Sequence, residues 1–163
     1  MSGAWSSASI GSAILQATVS LMRLLGLDVG TRRIGVAISD PLGFSAQGLT
    51  VIERRGVEKD IETIERLAHE HKAEALIVGL PLDTDGKRGS QVQLVEAFIE
   101  SVVRRVALPV HWVDERFTTA QSERVLLEGD VSRKRRKEII DQLAAQLILQ
   151  QYLEQNREKE NGP

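Results

Sequence analysis

The chain has 163 residues, enough for one domain of ordinary size and too few for two. It is 42% hydrophobic and 27% charged with a formal charge of −2, a globular composition whose net field would not draw it to nucleic acid, so any such binding must come from local patches. It contains no cysteine, which excludes disulfides and thiolate metal sites and makes a reducing, cytoplasmic setting the default.

Residues 1–21, "MSGAWSSASIGSAILQATVSL", are rich in Ser, Ala and Gly and carry no charged side chain. They lack the basic start and apolar run of a signal peptide, and no stretch approaches a membrane-spanning length. They read as a poorly ordered upstream extension, followed by a working domain over residues 22–155 and a polar tail over 156–163.

The apolar run Arg23 to Val29, ended by Gly30, reads as a central strand, and Arg33 to Ser39 follows after a hairpin-length turn until Asp40-Pro41 stops it. Gln47 to Ile52 is a third short strand. From Val57 to His71, Ile61, Ile64, Leu67 and Ala68 recur at helical spacing, with acids and bases alternating on the other face. "EALIVGLP" is a continuous apolar strand of the kind a parallel sheet interior needs. Ser90 is placed to cap a helix whose stripe is Val92, Val95, Phe98, Ile99, Val102 and Val106. "VHWVDER" is a fifth strand, with Trp112 in its core. Thr118 with Gln121 forms a capping box for a short helix ended by Gly129. A last helix runs from Lys137 to Gln155, with Ile140, Leu143, Ala144, Leu147 and Gln151 marking one face. The sum is an α/β chain whose mixed sheet is covered by helices on both sides.

Three groups of acids take special positions in that order. Asp28 ends the first strand, Asp114 and Glu115 end the fifth, and Asp141 lies early in the last helix. Ligands of such sheets gather beyond the carboxyl ends of the parallel strands. Clustered carboxylates repel one another unless a cation lies between them, and hard oxygen donors without Cys or His suit Mg²⁺ or Mn²⁺. Two such ions about 4 Å apart would support phosphodiester hydrolysis. Gly30 would let a phosphate backbone approach Asp28. Taken singly, Asp28 before a glycine is an ordinary turn residue, Asp141 a favourable charge near a helix start, and Asp114-Glu115 a pair for Arg116. Their coincidence is what favours a site. His69, His71 and His111 fall outside these motifs and read as surface or packing residues.

The motifs "GLDVGTRRIGVAISD", "ALIVGLPL" followed by "DG", "VDERFTT" and "IDQLAAQLILQQYL" resemble the YqgF/RuvX family, similar to Holliday junction resolvases and associated with pre-16S rRNA cleavage. The resemblance spans about Met22 to Tyr152. It implies a ribonuclease H-like fold, a five-stranded mixed sheet with strand two antiparallel and helices on both faces. It places the family's metal-binding acids on Asp28, Glu115 and Asp141, with Asp114 the alternative on strand five. Resolvases of this fold commonly draw an acid from strand four. Here that strand ends in "GLPLDTDG", where Asp83 and Asp85 are weaker candidates.

Cations surround these acids in sequence. Arg133, Lys134, Arg135, Arg136 and Lys137 stand just before the helix bearing Asp141; Lys87 and Arg88 follow strand four; Arg32 and Arg33 follow Asp28; Arg116 follows Glu115. A charge run is usually a solvated loop, but adjacency to the acids favours phosphate contact, with salt-sensitive affinity. With 4% aromatics no base-stacking platform is evident, so backbone shape is the expected target.

The reading is a metal-dependent endonuclease acting on structured RNA, with pre-rRNA or the ribosome as partner, or on branched DNA as a resolvase. A non-catalytic nucleic-acid-binding factor of the same fold is the second reading. An ATP-binding protein ranks low, because the relatives that share the "D-x-G-T" turn enclose nucleotide between two copies of the domain. Symmetric cutting of a junction requires a homodimer, whereas RNA trimming does not.

Overall fold

A computed structural model of the chain describes residues 23–82, 89–114 and 132–162. The extension over 1–21, the Thr118–Gln121 capping box and its short helix lie outside the described residues. In chain order the elements are β1 (Arg23–Val29), β2 (Arg33–Ser39), β3 (Ala46–Glu53), α1 (Val57–Glu70), β4 (Ala73–Leu80), α2 (Ser90–Val106), β5 (Val110–Asp114) and α3 (Arg133–Glu160).

The five strands form one sheet in the order β3-β2-β1-β4-β5. β2 runs antiparallel to both β1 and β3, while β1, β4 and β5 are mutually parallel. This is the expected mixed sheet, and β1 sits at its centre because its apolar residues are needed on both faces. Leu25, Leu27 and Val29 join Ile61, Ile64 and Leu67 of α1 and Val95, Phe98, Ile99 and Val102 of α2 in one core. Leu24 faces the other way and packs with Ala37, Ala75, Ile77 and Val113 against Ala145, Ile148, Leu149 and Leu153 of α3. Alternation along β1 therefore sends Leu24, Gly26 and Asp28 to the α3 side.

That side of the sheet is built from small residues, which lets α3 lie almost on the backbone. A Cβ on Gly26 would stand 2.9 Å from Leu149 Cβ, and one on Gly35 would overlap the carbonyl oxygen of Asp141. At the far end of β2, the Asp40 carboxylate accepts hydrogen bonds from the amides of Phe44 (2.7 Å) and Ser45 (2.9 Å). The Ser45 bond is the largest of the effects that hold its pKa below the ordinary 3.8.

Several local expectations are corrected. Helix α3 starts at Arg133 and ends at Glu160, where spacing predicted Lys137 and Gln155, so the cation run is helical from its first member. Ser132 makes the longer helix possible: it is the N-cap, and its hydroxyl accepts from the Arg135 amide at 3.4 Å. The buried face of α3 is Ala144, Ala145, Ile148, Leu149 and Leu153, rotated from the expected stripe, because the glycine floor selects the residues that fit against it. Ser90 is the first helical residue of α2 and Gly89 its cap, with no side-chain capping bond. Trp112 is 40% exposed and is no core residue, since β5 is an edge strand. Among the described residues no helix is long and apolar enough to cross a membrane.

Candidate active site

Asp28 and Asp141 are separated by most of the chain and meet through Gly35. Asp28 is the direct cross-strand partner of Gly35 in the β1–β2 ladder. The backbone of Asp141 rests on the α3-facing side of that same Gly35. Opposed residues of an antiparallel pair point to the same face, roughly 5 Å apart. Both acids therefore occupy the α3 side of the sheet at the carboxyl end of β1, and both are half-buried.

Arg33 completes this group. It opens β2, two residues before Gly35, so alternation aims it to the same face. Its Nε donates to Asp141 Oδ2 at 2.5 Å, with the two side chains 26% and 21% exposed. An ion pair this close and this shielded holds a defined geometry, unlike an exposed pair.

The turn that presents Arg32 and Arg33 is fixed from behind. The Gly30 amide donates to the Arg33 carbonyl at 2.9 Å, and a Cβ on Gly30 would lie 2.7 Å from that oxygen. Closing this turn is thus the structural demand that Gly30 meets. Arg54, just past β3, donates from its amide to the Arg32 carbonyl (2.9 Å) and from Nη1 to the Gly30 carbonyl (3.0 Å). Arg54 is oriented by Asp60 of α1, which is 1% exposed and accepts from Arg54 Nε at 3.1 Å and from the Arg55 amide at 3.0 Å. The Arg54 guanidinium also lies 4.6 Å from the Phe98 ring centre. Neither Arg54 nor Asp60 was expected from sequence, where Arg54 follows the third strand and Asp60 looks like one member of an alternating polar helix face.

Of the strand-five acids, Asp114 is placed by parity. Val113 packs with α3, and the His111 ring lies 5.3 Å from Tyr152 of α3. Val110 packs with the α1–α2 core instead. Alternation therefore assigns Asp114 to the α1–α2 side, away from Asp28 and Asp141, which counts against it as their co-ligand. Gln151 Nε2 of α3 donates to the Asp114 carbonyl at 3.5 Å, tying that strand end to the helix. Glu115, Arg116, Lys87, Arg88, Asp83 and Asp85 lie outside the described residues.

Among the described residues no group of three His, Cys, Asp or Glu side chains is arranged to hold a metal ion. The Asp28–Asp141 pair still fits a hard cation. Mg²⁺ is typically held by one or two carboxylates together with waters and substrate phosphates, and both acids here offer oxygen only. The cations stand on the approach to the pair. Arg32 is exposed on the β1–β2 turn, Arg133, Lys134, Arg135 and Lys137 are exposed at the start of α3, and Arg136 is half-buried there. At 1.5 Å rise per residue these five lie about 6 to 12 Å along the helix from Asp141.

Known proteins resemble this chain over most of its length. A protein of Moorella thermoacetica named "Putative pre-16S rRNA nuclease" is 52% identical over 133 residues, covering 82% of this chain and 95% of its own. Proteins of the same name from Desulforamulus reducens and Natranaerobius thermophilus are 48% and 47% identical, over 82% and 86% of this chain and 97% and 100% of their own. Among solved structures, Thermus thermophilus RuvC in complex with a Holliday junction substrate superposes with a TM-score of 0.55 at 16% identity, covering 83% of this chain and 96% of that one. The Fowlpox virus resolvase in complex with Holliday junction DNA superposes at 0.50 with 15% identity, covering 83% and 99%. At such identities the likeness establishes the resolvase-type, ribonuclease H-like fold. Residues 22–155 match the family model described as "RuvX: Holliday junction resolvase", and the chain belongs to the RuvX family.

Proposed function

We propose that the protein is a divalent-metal-dependent endonuclease that hydrolyses a phosphodiester bond in structured RNA, and that it acts in the cytoplasm on the 5′ end of pre-16S rRNA. The observation that carries this reading is the convergence of Asp28 and Asp141 across Gly35, at the sheet edge where this fold binds its ligands. The names borne by relatives near 50% identical support the RNA substrate over a DNA junction. Bound there, Mg²⁺ or Mn²⁺ would supply Lewis-acid stabilisation of the charge that develops on the phosphate oxygens.

The chain's own groups do the rest. Asp28 and Asp141 hold the cation, with Glu115 the third acid of the set. Arg32 and the cations of Arg133 to Lys137 neutralise the phosphates on either side of the bond to be cut. Nothing in this group offers a stacking surface for bases, so the target is selected by backbone shape. A single strand needs a single cut, and the reading does not require a dimer.

Incubation of the purified protein with a pre-16S 5′-leader transcript and Mn²⁺ or Mg²⁺ tests the proposal. The wild type is expected to cleave and to stop when the metal is chelated. Asp28→Asn and Asp141→Asn should each lower the rate at least 100-fold while keeping the wild-type melting temperature within a few degrees. Cleavage of a four-way DNA junction in preference to the transcript would reverse the substrate assignment. Cleavage undiminished in both variants would remove the site.

A further inference from the structure

We infer that Arg33 is a positioning residue for Asp141, which fixes the carboxylate so that Oδ1 is the oxygen presented to a divalent cation. The inference rests on the metal-dependent reading above and assigns to Arg33 a role beyond contact with nucleic acid.

Both partners sit in regular secondary structure. Arg33 is paired with Glu53 across the β2–β3 ladder, and its carbonyl is held by the Gly30 amide. Asp141 is in α3 with its carbonyl against Gly35. What remains free is the rotation of the aspartate side chain, and the Arg33 Nε bond to Oδ2 removes it. The grip uses one nitrogen and one oxygen. No hydrogen bond to Oδ1 is formed among the described residues, and Asp28 stands on the same face across Gly35. Carboxylates that ligate metals are commonly held by such outer partners, whose loss weakens metal binding about 10- to 100-fold. Lysine cannot substitute, because an ammonium on a flexible stem lacks the fixed Nε direction.

A simple counter-charge predicts the opposite sign. If Arg33 only competed with the metal for Asp141, removing it would strengthen metal binding, since a cation would leave the neighbourhood. The direction of the change therefore decides between the two roles.

Mn²⁺ titrations of the full chain, with free Mn²⁺ read by electron paramagnetic resonance, make the measurement without requiring cleavage. Arg33→Met is expected to raise the Mn²⁺ Kd by about 10-fold or more. Arg33→Lys, which keeps the charge and is the milder change should Arg33→Met fail to fold, is expected to raise it nearly as much. Cleavage by either variant should recover as Mn²⁺ is increased, because the residue acts through the ligand and touches no reacting atom. An unchanged or lower Kd in these variants, with Asp141→Asn still weakening Mn²⁺ binding, overturns the role of Arg33 and leaves the site standing. Mn²⁺ binding indifferent to both Asp28→Asn and Asp141→Asn overturns the site, and the inference with it.

Discussion

Asp60 is a charge that the fold could not bury without Arg54. Both of its oxygens are occupied, one by Arg54 Nε and the other by the Arg55 amide, and Arg54 passes the constraint on to the carbonyls of Gly30 and Arg32. Asp60→Asn would keep the acceptor for Arg55 but turn an amide N–H toward a guanidinium N–H. Removing one member of a buried pair costs about 3–5 kcal/mol, and Arg54, being 22% exposed, recovers part of that in water. A loss of about 2–3 kcal/mol is expected, read as a lower urea midpoint at unchanged slope. An unchanged midpoint would mean that the pair is structurally idle. Asp28 and Asp141 were legible in the sequence because each is an acid beside a long apolar run. Asp60 was not, because its helix alternates acids and bases and only the return of the β3 end across α1 makes one of them internal. Arg33 was legible as a cation near the acids, but spacing does not report that its Nε is committed to Asp141.

At the level of elements, the position of Asp141 is set less by its own helix than by what that helix lies on. Gly35 has no Cβ where the Asp141 carbonyl passes, and Gly26 has none where Leu149 sits. Gly35→Ala would push α3 away from β2 at the residue that must face Asp28. Forced overpacking of this kind costs about 1–3 kcal/mol. The expected signature is a lowered melting temperature, faster amide exchange in α3, and cleavage abolished with every acid intact. Retained cleavage in a Gly35→Ala variant would show that the helix can shift without separating the acids. The central strands could be read from continuous apolar runs, since both of their faces are covered, and the stripes of α1 and α2 from periodicity, since each of those helices meets one apolar surface. The buried face of α3 could not. Its partner is a row of glycines and alanines from β1, β2, β3 and β4, whose smallness carries no helical period.

For the molecule as a whole, net charge and local charge point in opposite directions. The chain is acidic at −2, yet α3 opens on Arg133, Lys134 and Arg135 with no acid in its first turn. Cations at a helix N-terminus oppose the macrodipole, at about 0.3–1 kcal/mol each when exposed. The helix thus tolerates an unfavourable start beside the one sheet edge where phosphates would come. If these residues serve stability, replacing them should weaken the fold; if they serve RNA, stability and binding should move apart. Replacing Arg133, Lys134 and Arg135 together by Ala is expected to raise the melting temperature by a few degrees while weakening RNA binding. In anisotropy titrations across a salt series, the slope of log K against log salt should become shallower by about 0.7 to 0.9 for each phosphate that is no longer neutralised, with Mn²⁺ affinity unchanged. A salt slope identical to wild type would place the phosphate track elsewhere on the molecule and reduce this stretch to a solvated helix start.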